Sequence, residues 1–373
     1  MAKANHDLVA ENSNVIIAKM RGGRMVRLRI LVLVVFLFVT FTGWPALRAI
    51  SPCEASDDPI ELSLAHFWPA KHYLHTEQVV NWIAEIEKAT NGRVKIRTYP
   101  AETLLKMKEM YQGVVDGIAD VGIGVFALSY GRHPLMEVFE LPGLNYPNAT
   151  AAAVVSWEGY KRIKELKLSD AKLLYTFCTG PGAIWATTPI RRLEDMKGLE
   201  IMAPGSTSVI MKRLDAVPVG LPRPEVYIAL KKGIVKAAVG PFEALKGFRE
   251  AEVTKYLTIV PRYYNKVFFV TMNLDKWNSL PNEIQVAFDQ VNDGWAEKAG
   301  KIWDSHQEEG FEFAMKQGME VIELSPEELA RWMARLVPIR DQFIGNMEAK
   351  GLPGRESVEI VTRLCDQYAE KYK

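Results

Sequence analysis

The chain has 373 residues, enough for two domains, with 48% hydrophobic and 24% charged residues and a formal net charge of +1. That composition supports folded cores and excludes general disorder. A balance so close to neutral offers no field to draw in nucleic acid or an anionic surface, so no nucleic-acid partner is expected.

Arg21, Arg24, Arg27 and Arg29 precede an apolar run from Ile30 to Val39, and small or helix-breaking residues follow (Thr40, Thr42, Gly43, Pro45, Ala46). Positive charge, a short apolar stretch and a small-residue zone make a secretory signal pattern. The run through Phe41 falls short of the about 20 residues needed to span a bilayer. Residues 1–55 are therefore expected to be a signal peptide or N-terminal anchor with linker, with Ala49 or Ala55 as the last residue removed. An uncleaved tether is the alternative. Cys53 reads poorly as a lipidation site because Pro52 replaces the small residue wanted before it. Cys178 and Cys365 are far apart, and no metal-type cysteine spacing occurs.

Pro59–His66 alternates apolar and polar residues and reads as a strand. Thr76–Thr90 has helical spacing closed by Asn91-Gly92, and Val94–Tyr99 alternates again. Leu104–Val115 reads as a second helix. Ala119–Val125 reads as a glycine-rich third strand that lets something approach its backbone. This is the βαβ rhythm of a parallel sheet with covering helices. It repeats: strands at Ala171–Phe177, Leu199–Ala203, Val217–Leu221 and Ile234–Val239, a helical turn at Leu193–Lys197, helices at Thr207–Leu214 and Glu225–Lys231. Lys266–Met272 reads as a buried strand returning to the first sheet. Pro281 to Gln317 is helical without internal proline, long enough to tie two lobes together. Ser325-Pro326-Glu327-Glu328 starts a further helix, with serine as N-cap, proline next and acids in the first turn. The chain ends in helices separated by Gly351-Leu352-Pro353-Gly354.

These elements predict two α/β lobes, each a mixed sheet flanked by helices, with a long helix across both. Residues 56–177 and 266–310 make lobe I; 178–265 and 311–373 make lobe II and the C-terminal helices. Small ligands bind in clefts between domains and at the carboxyl ends of parallel strands.

Several motifs, in order, carry a resemblance. They are Lys88–Val94, Gly113 to Gly122, Tyr130–Pro134, Glu140–Gly143, Leu193–Leu199, the Lys197–Ser206 strand ending in Pro-Gly-Ser, and Pro224–Val235. The stretch from about Leu62 to Tyr368 resembles the solute-binding proteins of TRAP (tripartite ATP-independent periplasmic) transporters, the dicarboxylate-binding-protein-like family. The resemblance implies a periplasmic protein that closes on a small organic acid and delivers it to membrane permease subunits. It implies no catalysis and no cofactor. A ligand-sensing protein of the same fold feeding a signalling receptor is the alternative.

Two departures bear on the ligand. Met202 stands where the family usually has an arginine for the ligand carboxylate, and Gly240 where it usually has asparagine. The expected cleft loops are rich in rings instead: His66-Phe67-Trp68, Ile184-Trp185, Phe242 and Tyr263-Tyr264. The expected ligand therefore carries a sizeable apolar or aromatic part. Trp68, Trp185, Tyr227 and Phe242 are expected to stack or exclude water, Met202 to give soft apolar contact, and Gly205 to allow backbone approach. Arg223 or Arg262 is the candidate to replace the lost charge, with backbone N–H groups at Pro204-Gly205-Ser206 as another acid receptor. His66, His72 and His75 lie close in sequence but have no carboxylate or cysteine at metal spacing, so they are expected to line a surface or cleft. Gly122-Ile123-Gly124 lacks the third glycine of a dinucleotide loop, and Ser206 and Ser208 lack the surroundings of a nucleophile.

Overall fold

The computed structural model describes residues 58–129 and 131–373. The expected leader, Cys53 and Tyr130 lie outside them. The chain forms β1 (Ile60–His66), a π turn (Leu74–Val79) running into α1 (Val80–Ala89), β2 (Val94–Tyr99), α2 (Met110–Val115) and β3 (Val121–Val125). A 3-10 turn (Pro134–Glu140), α3 (Ala149–Arg162), β4 (Ala171–Cys178) and β5 (Gly182–Ala186) follow. Next come β6 (Glu200–Met202), α4 (Ser206–Arg213), β7 (Val217–Val219), α5 (Arg223–Lys231), β8 (Ala237–Pro241), α6 (Glu243–Gly247) and β9 (Tyr256–Ile259). The last elements are β10 (Val267–Asn273), α7 (Leu274–Ser279), α8 (Asn282–Lys316), β11 (Glu320–Glu323), α9 (Pro326–Glu348) and α10 (Gly354–Lys371).

Two mixed sheets result. The first has the order β2-β1-β3-β10-β4, the second β11-β9-β5-β8-β6-β7. β1 runs parallel to β2 and β3, whereas β10 returns antiparallel between β3 and β4, as its apolar run predicts. In the second sheet β6 is parallel to β7 and β8, and β5 is antiparallel to β8 and β9. The chain passes between sheets at 179–181 and 260–266. These crossovers bond to each other, Thr179 N–H to Lys266 O at 3.1 Å and Lys266 N–H to Thr179 Oγ1 at 3.1 Å.

α8 is 35 residues long, roughly 50 Å at helical rise. It packs on α3 and β4 of the first lobe and on α6 of the second. Asp304 anchors it to the first lobe by accepting the Ala149 and Thr150 N–H groups at 2.6 and 3.0 Å. Gln307 anchors it to the second by accepting Glu243 N–H at 3.1 Å. The fully buried Trp295 and Trp303 face the core from this helix. At α9, Ser325 caps as read, accepting Glu328 N–H. α10 packs on α3, so residues 354–371 go with the first sheet's layer.

Some elements differ from the expectations. Gly233 closes α5 at φ +69°, with Ile234 N–H on Ala229 O at 2.9 Å, so Ile234 and Val235 belong to a helix end and β8 starts at Ala237. The expected helix over Leu104–Val115 is α-helical only from Met110. β3's glycines admit protein, not ligand: a Cβ on Gly122 would lie 2.4 Å from Val114 Cγ2, and one on Gly124 2.6 Å from Phe269 Cζ. α3, β5, β9 and β11 were not legible. β5 is buried at every position and shows no alternation, and α3 is alanine-rich with apolar groups around most of its girth.

Candidate ligand-binding site

A cavity of about 660 Å³, counting its open mouth, lies between the two sheets. Phe67 and Trp68 follow β1, and Ala127 and Leu128 follow β3; Pro204 follows β6 and Leu221 follows β7. These are carboxyl ends of parallel strands, where α/β sheets open their crevices. Tyr264, Lys266 and Thr179 come from the crossovers and Trp303 from α8.

One wall is aromatic. Trp68 stacks on Phe67 with ring centroids 4.0 Å apart and lies 5.5 Å from Phe268. Phe268 stacks on Phe177 at 4.8 Å and 9°, and meets Trp303 at 5.4 Å. β10 holds Phe268 in register with Phe177 of β4, so the stack is set by sheet pairing.

The opposite wall carries Met202 and Arg223. Met202 is buried and has no donor to offer. Arg223 opens α5, and its guanidinium has three neighbours. Nη1 donates to both Glu250 oxygens at 3.2 Å, Nη2 donates to Val239 O at 2.9 Å, and the cation lies 5.6 Å from the Trp185 ring centroid. Trp185 Nε1–H donates to Glu250 Oε2 at 2.8 Å. Burial pushes the Glu250 carboxyl up, to about 7, against the pull of Arg223 and the Trp185 N–H. Gly240 makes the space: a Cβ there would lie 2.5 Å from Arg223 Nη2 and 2.7 Å from Trp185 Cη2.

The second cation in the wall is Lys266, bonded to Glu140 Oε2 at 2.5 Å. Glu140 also accepts Val267 N–H at 3.0 Å, and the Ser206 hydroxyl bonds both Glu140 and Lys266. Ser206 belongs to the second lobe and Glu140 to the first, so this cluster joins the lobes. The third charged wall residue, Glu243, has Oε2 at 3.4 Å from His72 Nε2.

The structure thus brings Trp68, Met202 and Arg223 to one cavity. Trp185 is fully buried behind Arg223 and reaches the site through it. Gly205 sits at φ +60°, where a Cβ would be 2.6 Å from Ala127 Cβ, so what comes close to its backbone is the other lobe. Phe242 is half-buried against Phe311 at 5.7 Å, Tyr227 is half-buried on α5, and Arg262 is exposed at φ +56°; none of these three is on the wall. Of the three histidines, His66 and His72 are buried, His72 in the wall of a separate cleft, and His75 is half-buried, with its Nδ1 3.0 Å from His66 Nε2. Burial, then the neighbouring His75 and His72, lowers the His66 ring to about 3, so it is neutral near pH 7.

The sequence model of bacterial extracellular solute-binding proteins, family 7, matches residues 64–346. The chain belongs to this family, the TRAP solute-binding proteins. A curated member, the C4-dicarboxylate-binding periplasmic protein DctP of Rhodobacter capsulatus, is 27% identical over 274 residues, covering 71% of this chain and 80% of that protein. Among solved structures, a TRAP periplasmic solute-binding protein from Desulfovibrio salexigens is 34% identical, with a TM-score of 0.73, over 84% of this chain and 98% of that one. A marine-metagenome TRAP solute-binding protein described as specific for aromatic acid ligands, solved with metahydroxyphenylacetate, is 28% identical with a TM-score of 0.79, over 83% and 99%. The family is one of binding proteins, not enzymes, and its two-lobe architecture is the one found here.

Sequence reasoning missed Glu250, Glu140, Lys266, Phe268 and Trp303. Glu250 is 27 residues from Arg223, and Glu140 is 126 from Lys266. No spacing rule links such pairs. Phe268 and Trp303 lie inside the expected strand and long helix, but their direction is set by how those elements pack.

Proposed function

We propose that this protein is the extracytoplasmic binding subunit of a TRAP-type uptake system, and that it captures an aromatic monocarboxylate and hands it to a membrane permease. The observation that carries the reading is the wall composition: a stack of rings on one side of the interlobe cavity and a buried guanidinium on the other. A flat apolar ring gains by stacking on Trp68 and Phe268. Its carboxylate takes the cation at Arg223, which suits a planar acid through parallel N–H donors. Met202 fills space beside the ring without competing for the acid. The metagenome relative's affinity for aromatic acids supports the same class.

In this reading lobe I closes against lobe II about the crossovers at 179–181 and 260–266. Ser206 on Glu140 and Lys266, and Gly205 against Ala127, are contacts of the closed form. Ligand shifts an open population toward it, and the closed form docks on the permease. The signal-like N-terminus supports export to the periplasm. Titration calorimetry with metahydroxyphenylacetate, benzoate and succinate tests the ligand class. Saturable binding of the aromatic acids, with succinate silent, is expected. Binding of succinate alone would overturn it.

A further inference from the structure

Among the described residues, each cation in the cavity wall already faces a buried carboxylate: Arg223 has Glu250 and Lys266 has Glu140. The remaining charged wall residue, Glu243, is itself an acid. An arriving anion therefore meets no uncommitted positive charge. Burying it as a second carboxylate on the same guanidinium is costly, because desolvated like charges share one counter-ion.

The geometry points to a way out: Arg223 is the group that reads the ligand's acid, and Glu250 releases it by taking a proton from solvent, so that the acid binds as anion plus proton. This rests on the aromatic-acid reading above. A guanidinium has five N–H donors, and the contacts to Glu250 and Val239 O are three bonds, which leaves donors for a second acceptor. The Arg223 side chain is 14% exposed and on the cavity wall, whereas Glu250 is closed to solvent behind it. Ligand and Glu250 therefore address opposite sides of one cation.

The groups around Glu250 favour uptake. Trp185 Nε1–H donates to its Oε2 and stays satisfied by a neutral carboxyl oxygen. Glu243, from α6, adds a like charge that raises its affinity for a proton. On its own turn Arg249 and Glu252 pair with each other at 2.8 Å on the outside. Burial has already brought Glu250 to about 7 without ligand, so an extra anion needs to move it only upward from there. Protonation leaves Arg223 with one net positive charge toward the cavity, enough for a monocarboxylate and too little for a dicarboxylate.

The sign follows. When binding takes up a proton, affinity is constant below the free protein's pKa and falls as pH rises above it, by up to about tenfold per pH unit. Calorimetry with metahydroxyphenylacetate and benzoate at pH 6.0, 7.0 and 8.5, each in phosphate and in Tris at the two higher values, reads affinity and proton uptake together. Wild type is expected to lose roughly tenfold or more between pH 7.0 and 8.5, with binding heats that differ between buffers. Glu250→Gln keeps the shape and the oxygen for Trp185 but no charge. It is expected to bind the acids with little pH dependence, and more tightly than wild type at pH 8.5. Arg223→Met is expected to lose acid binding by more than tenfold while the neutral amide, benzamide, is little changed. A gain of affinity in Glu250→Gln is not what a damaged fold produces. If the acids bind with no buffer-dependent heat and no fall with pH, or if Glu250→Gln keeps the wild-type pH profile, this proposal fails while the ligand class stands. If neither acid binds at any pH, both fail.

Discussion

Lys266→Met strips the cation from the Glu140–Lys266 pair. The two side chains are only 8% and 2% exposed, with Nζ 2.5 Å from Oε2. Glu140 would keep the Val267 N–H and the Ser206 hydroxyl, two neutral donors against a full charge. Removing one partner of a buried pair costs about 3–5 kcal/mol because the other charge is stranded. Adding Glu140→Gln removes that charge and keeps an oxygen for Val267 N–H. The double variant should therefore regain much of the loss instead of adding to it, a coupling of at least about 2 kcal/mol between the two sites. Urea unfolding followed by tryptophan fluorescence measures all four corners of the cycle. If the single substitution costs under about 1 kcal/mol, the pair is not desolvated as described. If the two substitutions simply add, the charges do not depend on each other and the reasoning is refuted.

Other outcomes follow from the same geometry. Trp68→Ala opens a void beside Phe67 and Phe268; it should cost about 3–5 kcal/mol in urea unfolding and weaken aromatic-acid binding more than tenfold by calorimetry. Gly240→Ala places a Cβ within 2.7 Å of both Trp185 and Arg223, so the guanidinium must move. Its acid affinity should fall about as far as that of Arg223→Met, and an unchanged value would show that Gly240 does not set the cation's position. His66 is held neutral, with its pKa lowered to about 3 by burial first. The unfolded chain takes that proton near pH 6.5, so the contribution is whole above that value and lost as pH falls from 6.5 toward 3. The slope in that window should be about 1.4 kcal/mol per pH unit steeper in wild type than in His66→Gln, read by urea unfolding at stepped pH.

The strands, the long helix and the Ser325 cap were legible because they leave local marks: alternation in Ile60–His66, three-and-four spacing in Asn282–Lys316, a serine before proline and two acids. β5 and α3 leave none, since a segment buried on all sides is apolar on all sides. The same limit applies at the site. Trp68, Met202 and Arg223 could be placed near the cleft because they sit next to strand ends or helix starts. Their partners could not. Glu250 meets Arg223 only after α5 and the turn before β9 pack on β8, and Lys266 meets Glu140 only across the crossover. Gly240 was visible as a departure from the family, but its meaning, room for a guanidinium, depends on a side chain 17 positions earlier. Arg262, equally plausible by sequence, is turned out to solvent.

The central claim is that the cavity selects an aromatic ring bearing one carboxylate. Thermal shift of the purified protein against metahydroxyphenylacetate, benzoate, benzamide and succinate tests it most directly. A ligand at 100 times its dissociation constant adds about 2.7 kcal/mol of stability, which moves the transition visibly. The account predicts a large shift with the two aromatic acids, a smaller one with the amide, and none with succinate. A shift with succinate that the aromatic acids do not match would contradict it.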